Sequence, residues 1–387
     1  MVSKRQILFT IGSDAGPGAG PSAALGVGAS ANVTTEELTP AEIAEVRASP
    51  NVVNAPPMRT KLIEPLAADE PRGLAAAGVA WGVEAVKAPT SSFTGAGVKV
   101  AVLDTGIMKS HPAFAGVTVT EKDFTGEGNG DTHGHGTHCA GTIVGRDVNG
   151  IRIGVATGVT ELLAGKVLGA NGGSTEDLVK GIMWAVESGA SIISMSIGMD
   201  FPGYVADLIA AGREPEAATS EALQGYRDNV TLFETVAKFL QDFGPFGRSA
   251  LVIAASGNES RRTGSKPYTI DASPPAVADG IVSVGAVGRQ ASGKYVIAPF
   301  SNTGPKVVGP GVQIASAGLN GGLATMSGTS MATPHAAGVA ALWAEERISE
   351  QGLLDVGELA SFLVAQARKV GGLSQVDAGS GLVKAPA

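Results

Sequence analysis

Five short apolar runs punctuate the middle of the chain: Val98 to Asp104, Glu161 to Leu168, Ser191 to Ile197, Leu251 to Ala255 and Ile281 to Val287. Runs this short, with little polar alternation, read as strands buried on both faces; with helix-length segments between them they predict a parallel sheet. The helical signal is clearest after Ser174-Thr175-Glu176-Asp177, a capping-box sequence followed by Leu178, Ile182, Ala185 and Val186 on one face and by Gly189 as a stop. The expected fold is therefore α/β, a three-layer, doubly wound, mainly parallel sheet. Such sheets bind ligands beyond the carboxyl ends of their strands, where Asp104 and Asn258 fall.

The flanks follow other patterns. Gln6 to Ile11 reads as a strand, residues 12–31 as a Gly/Ala/Ser/Pro-rich loop, Thr39-Pro40-Ala41-Glu42 as a capped start of a helix running toward Arg47, and Val52 onward as another strand. Residues 1–66 are thus expected to form a small α+β unit, residues 67–78 an exposed linker open to cutting, and residues 79–387 one large domain. Within that domain, Leu223, Tyr226, Val230, Phe233, Ala237 and Leu240 predict an amphipathic helix in a longer segment, 199–247, ended by Gly244-Pro245. Packing, or shaping one wall of a cleft, is the role expected of it.

Composition narrows the partners. With 387 residues and 44% hydrophobic content the chain can bury a large core. A net charge of −8 without a long basic run excludes nucleic acid and anionic membrane as partners. No stretch approaches the roughly 18 apolar residues of a membrane span. The apolar run Ile7 to Ile11 is shorter than a secretory signal needs, so a cytoplasmic location is expected, with secretion open if a leader has been trimmed. Cys139 is the only cysteine and cannot form an intrachain disulfide.

Three segments carry chemistry. Gly328-Thr329-Ser330-Met331-Ala332-Thr333-Pro334-His335 places a serine where a turn enters an apolar helix, with Pro334 expected in its first turn. Asp104 closes the first apolar run, and His135 opens His135-Gly136-Thr137-His138-Cys139. A serine hydroxyl needs a base to take its proton and an acid to hold that base, and Asp, His, Ser is one of the chain orders in which such a triad occurs. In type, local sequence and order, these segments resemble the subtilisin-like serine proteases, as do Trp81-Gly82-Val83, Ala88-Pro89 and Phe93-Thr94-Gly95; the resemblance covers most of residues 79–346.

The resemblance implies an endopeptidase that forms an acyl-enzyme on Ser330, with His135 as general acid/base and Asp104 orienting it. Ala254-Ala255-Ser256-Gly257-Asn258-Glu259 resembles the family's oxyanion segment, with Asn258 as side-chain donor beside the Ser330 amide and Gly257 next to the substrate. Ser196-Ile197-Gly198 resembles one edge that pairs with an extended polypeptide substrate, and Gly172-Gly173 is placed to form the other. Glu259 is expected at the pocket rim, with Arg261 and Arg262 following. Residues 1–66 resemble, by position, an inhibitory prosegment, so the chain's own N-terminal segment is a candidate inhibitor. No organic cofactor is implied. Structural calcium is a candidate without assigned ligands: Arg146 to Ile151 has the length of the family's calcium loop, but Ala113 stands where the family has an aspartate. Two other classes stay open. One is a peptide-binding pseudoprotease; the other is a zinc hydrolase built on His133-Gly134-His135-Gly136-Thr137-His138, where Thr137 replaces the expected aspartate.

Overall fold

The computed structural model describes residues 3–13, 29–67, 78–242 and 249–387. Its centre is a sheet with strands in the order Tyr295–Ile297, Val282–Arg289, Leu251–Ala255, Ile192–Met195, Lys99–Asp104, Glu161–Lys166 and Thr118–Asp123, with Val307–Pro310 also paired to Val282–Arg289. All pairings are parallel except that of Tyr295–Ile297. All five apolar runs supply strands. Along Lys99–Asp104 the reason is visible: Val100 and Val102 enter one apolar layer, Ala101 and Leu103 the other. A strand buried on both faces has no polar alternation to show.

Helices His135–Val144 and Thr329–Gln351 cover the first face. Helices Thr175–Glu187 and Pro215–Asp242 cover the second. The Thr175 helix starts as expected, the Ser174 hydroxyl accepting from the Asp177 N–H at 3.1 Å. From Lys99–Asp104 the chain crosses to strands on one side and then to Ile192–Met195 on the other, so the winding reverses at Asp104. That reversal opens the crevice in which such sheets hold ligands.

The N-terminal residues form a three-stranded antiparallel sheet, Ala29–Leu38, Lys4–Ser13 and Val52–Ala55, with helix Pro40–Ala48. The helix has the expected box: Thr39 accepts from Glu42 N–H and Glu42 reaches back to the Thr39 N–H. Ala29–Leu38 corrects the reading of 12–31 as loop, since its first residues are strand, as are Gly12 and Ser13; residues 14–28 lie outside those described. It is an edge strand rich in Thr and Glu, with no apolar alternation to announce it. Ile7 and Phe9 are fully buried against the second layer, and Phe9 meets Phe239 edge-to-face at 5.7 Å. Most of the expected linker, 68–77, also lies outside the described residues.

Segment 199–247 holds two helices, Phe201–Ala210 and Pro215–Asp242; Gly244-Pro245 lies outside the described residues. The expected face is rotated at its start. Leu223 is exposed, while Ala218, Ala222, Gly225 and Asn229 are buried. Small residues are selected there because Pro56 and Met58 cross the helix at that point, and the Asn229 amide donates to the Pro56 carbonyl at 2.9 Å.

Candidate active site

Asp104 ends its strand and His135 begins its helix, and the His135 Nδ1–H donates to Asp104 Oδ1 at 2.8 Å. The Thr105 N–H donates to the same oxygen at 2.8 Å. Both side chains are at most 1% exposed. Burial disfavours a charged imidazole, yet the Asp104 carboxylate outweighs it and holds His135 well above its ordinary 6.5. Cys139, one turn along, lies with Sγ 3.8 Å from His135 Nδ1; burial pushes its thiol up, so it stays neutral. With Nδ1 carrying the proton toward Asp104, His135 Nε2 is the acceptor nitrogen, and it has no hydrogen-bond partner among the described residues.

Ser330 is the second residue of helix Thr329–Gln351. Pro334 therefore sits in the second turn, not the first as expected. Lacking an N–H, Pro334 leaves the Ser330 carbonyl without its helical donor. Ser196 Oγ fills that place at 3.1 Å and the Cys139 thiol at 3.4 Å. The serine's backbone is thereby tied both to the His135 helix and to one wall of the cleft.

Asn258 lies three residues beyond its strand. Its Oδ1 accepts from the Thr329 N–H at 2.8 Å and the Thr329 hydroxyl at 2.9 Å. A backbone N–H can only donate, so the amide oxygen must face Thr329 and Nδ2 must face the cleft. Sequence reasoning missed this role of Thr329; its place beside Ser330 is the one signal for it. It also missed Asn302, which braces the same loop by donating to the Ser256 carbonyl at 3.1 Å and to Glu259 at 2.8 Å. Gly257, at φ 114°, is required there, because a Cβ would fall 2.3 Å from the Asn302 amide. Arg261 instead donates to the Asn258 and Ser260 carbonyls, and Arg262 pairs with Asp377 at 2.6 Å.

The cleft holds the chain's own strand Arg59–Leu62. It lies antiparallel between Gly173–Ser174 and Ile197–Met199, with Thr60 opposite Gly173 and Lys61 opposite Gly198. Gly172, at φ 83°, admits the strand, since a Cβ would stand 2.6 Å from the Thr60 carbonyl. Ser196 continues the edge, its carbonyl accepting from the Ile63 N–H at 3.5 Å. Beyond the cleft, Leu66–Ala67 pairs with Met326–Ser327. Ser330 Oγ donates to the Ile63 carbonyl at 3.0 Å, while Asn258 Nδ2 donates to the next one, Glu64, at 2.9 Å.

Three of the four remaining histidines are held by backbone groups; His133 instead stands edge-on to the His135 ring, 6.3 Å between centroids. His138 Nε2 lies 3.0 Å from the Ile314 carbonyl and His335 Nδ1 2.8 Å from that of Met331; burial lowers them to about 3 and about 4. His111 bridges the Gly322 carbonyl and the Ala113 N–H. Among the described residues the one cluster with metal-ligand spacing is Asp104, His135 and Cys139 itself. Ala113, which stands where the family has an aspartate beside the expected calcium loop 146–151, is buried and apolar. The Arg146 guanidinium takes the Val144, Thr157 and Val159 carbonyls, and Arg152 those of Gly154 and Val155. Those carbonyls lie outside residues 146–151, so the guanidiniums do not occupy the loop's own oxygens; what they bring beside it is positive charge, which disfavours a divalent cation there.

The comparisons place the chain among the serine peptidases, hydrolases of the peptide bond. It belongs to the subtilase family, whose model matches residues 95–381. It is 36% identical to an intracellular serine protease of Paenibacillus polymyxa over 67% of this chain and 71% of that protein. It is 34% identical to subtilisin Savinase of Lederbergia lenta over 80% of this chain and 98% of the relative. With the major intracellular serine protease of Bacillus subtilis it shares 34% identity over 67% of this chain and 73% of the relative. Among the described residues no helix is long and apolar enough to cross a membrane.

Proposed function

We propose that the chain is a serine endopeptidase that acylates Ser330 with an extended polypeptide and then hydrolyses the acyl-enzyme, and that residues 1–66 are an inhibitory segment covering the cleft. One observation carries this reading: the chain's own Arg59–Leu62 strand fills the cleft and presents the Ile63 carbonyl to Ser330 Oγ at 3.0 Å. His135 Nε2 takes the serine proton once that hydroxyl turns from the Ile63 carbonyl, and Asp104 holds the tautomer that makes this possible. Asn258 Nδ2 and the Ser330 N–H receive the oxyanion.

The segment resists its own enzyme because nucleophile and amide donor engage successive carbonyls, Ile63 and Glu64. Neither peptide bond then has both groups it needs. We further assign residues 67–78 as the linker whose cutting releases the unit, and the cytoplasm as the compartment, in keeping with the two relatives named intracellular. A pseudoprotease would share the cleft but not the reactive serine. A zinc hydrolase would have to draw on His111, His138 and His335, each of which already has one ring nitrogen against a backbone carbonyl.

The test is fluorophosphonate labelling with intact-mass analysis of the full chain and of Ser330→Ala at neutral pH. One adduct per chain, absent from the variant and growing as the N-terminal segment is lost, is expected. No adduct on a folded, trimmed chain would turn the reading to a peptide-binding pseudoprotease, and full activity with residues 1–66 still in place would remove their inhibitory role.

A further inference from the structure

A strand in a cleft shows its side chains alternately to the two sides. Thr60 and Leu62 are buried against the body, whereas Arg59 and Lys61 face outward with 51% and 41% of their side chains exposed. Among the described residues, the edges Gly173–Ser174 and Ile197–Met199 form no hydrogen bond or ion pair with the Arg59 or Lys61 side chains, whose partners are Asp207 and Asp200. Helix Phe201–Ala210, the first part of the 199–247 segment, stands over it.

Asp200, the residue that caps this helix, places Oδ1 3.2 Å from Lys61 Nζ. Asp207, two turns on, meets Arg59 Nη1 with both oxygens, at 3.1 and 3.0 Å. The Asp200 N–H also donates to the Arg59 carbonyl at 2.9 Å, so the helix is fixed to the strand's backbone as well as to its charges. The two acids thus repeat the spacing of alternate residues on a β-strand, and each stands opposite one outward position.

We propose that Asp200 and Asp207 are specificity-determining residues that select basic side chains in the substrate, at the third and fifth positions counted back from the carbonyl facing Ser330. Ile63 is the first of those positions, Lys61 the third and Arg59 the fifth. The inference rests on the peptidase reading and adds its substrate class: extended polypeptides with lysine or arginine at alternate positions before the cut. The N-terminal segment already carries that pattern and occupies the cleft as a mimic of it.

The test uses the full chain, incubated until intact mass shows its N-terminal segment released, acting on a library of random dodecapeptides in dilute salt, with cut sites read by mass spectrometry. Exposed ion pairs are weak, so lysine and arginine should be enriched about two- to fivefold at each of the two positions. Asp200→Asn should lose the enrichment at the third position alone and Asp207→Asn at the fifth alone. Asparagine caps a helix as aspartate does, so Asp200→Asn keeps the helix start intact. Cuts without basic preference, or a preference unchanged in both variants, would overturn the subsite while leaving the peptidase reading in place. A folded, trimmed protein that cuts no peptide would overturn both.

Discussion

The polar contacts at the proposed catalytic centre and those that hold the N-terminal unit are built on opposite principles. Asp104 and His135 meet in a dry interior, at most 1% exposed. Among the described residues, the N-terminal unit reaches the body through five ion pairs, Lys4–Glu221, Arg5–Glu176, Arg47–Asp228, Arg59–Asp207 and Lys61–Asp200, each with its cation on the N-terminal side and each cation 41–59% exposed. A buried charge that loses its partner is costly and barely feels salt; an exposed pair contributes about 0.2–1 kcal/mol and is screened. On the proposed reading, chemistry that must not drift sits in the first environment, and a contact that must let go sits in the second.

That contrast can be broken most sharply at its buried end. Ser330→Ala or His135→Ala should lower kcat on a peptide substrate about 10⁶-fold and Asp104→Ala about 10⁴-fold, magnitudes known from subtilisin itself rather than derived from this chain. An Asp104 variant no worse than a surface-pair variant would end the comparison. The same pair sets a pH signature. Because the His135 value in the folded protein is raised above 6.5, the rise of kcat/KM with pH should lie above 6.5, and Asp104→Asn should move it down. The sign for stability is opposite: the charged pair's contribution is full below the unfolded-state value and is lost as pH rises through the folded one.

Next in size is the apolar part of the docking surface. Phe9→Ala should weaken the N-terminal unit by about 3–5 kcal/mol, seen as early release in limited proteolysis, because it empties a fully buried site against Phe239. Asn258→Ala should cost about 2.7–4 kcal/mol in the transition state, again a magnitude from subtilisin itself. Thr329→Val should reproduce part of that loss, since it removes one of the two donors that aim the amide. The smallest effect is the most telling. Lys4→Met and Arg47→Met should each change retention of the unit by no more than about 1 kcal/mol, while raising salt from 0.05 to 0.5 M weakens all five pairs together and speeds release. A release rate indifferent to salt would show that apolar contact alone holds the unit.

How far the sequence could be read depends on whether a role is written locally. Asp104, His135 and Ser330 each sit at the end or start of an element, within a stretch whose residue types announce both the element and the chemistry. The glycines at 172 and 173 and the edge at 196–198, expected to flank an extended chain, do flank the chain's own strand Arg59–Leu62. Thr329 acts on Asn258 across 71 positions of chain, and Ser196 on the Ser330 carbonyl across 134, so neither has a local pattern. Pro334 was misplaced by a turn because the helix starts directly before Ser330. Only at the start of Pro215–Asp242 does the hydrophobic stripe mislead: Leu223 is exposed and the buried positions are Ala218, Ala222 and Gly225, the last because a Cβ there would crowd Pro56, while Phe233, Ala237 and Leu240 are buried as expected. An inhibitory segment could be expected from position alone; that Arg59–Leu62 would be the strand in the cleft could not.

Ten residues join Ala67, at the far end of that strand's path, to Gly78, where the body begins. On the proposed inhibitory reading, while they are intact the occupant of the cleft is a tethered ligand, and its effective concentration, on the order of millimolar for a short linker, does not change when the protein is diluted. One cut turns the same contacts into an ordinary bimolecular complex, governed by its dissociation constant and by how many molecules share the volume. On that same reading, dilution alone would then favour the open enzyme, and crowding of many copies the closed one.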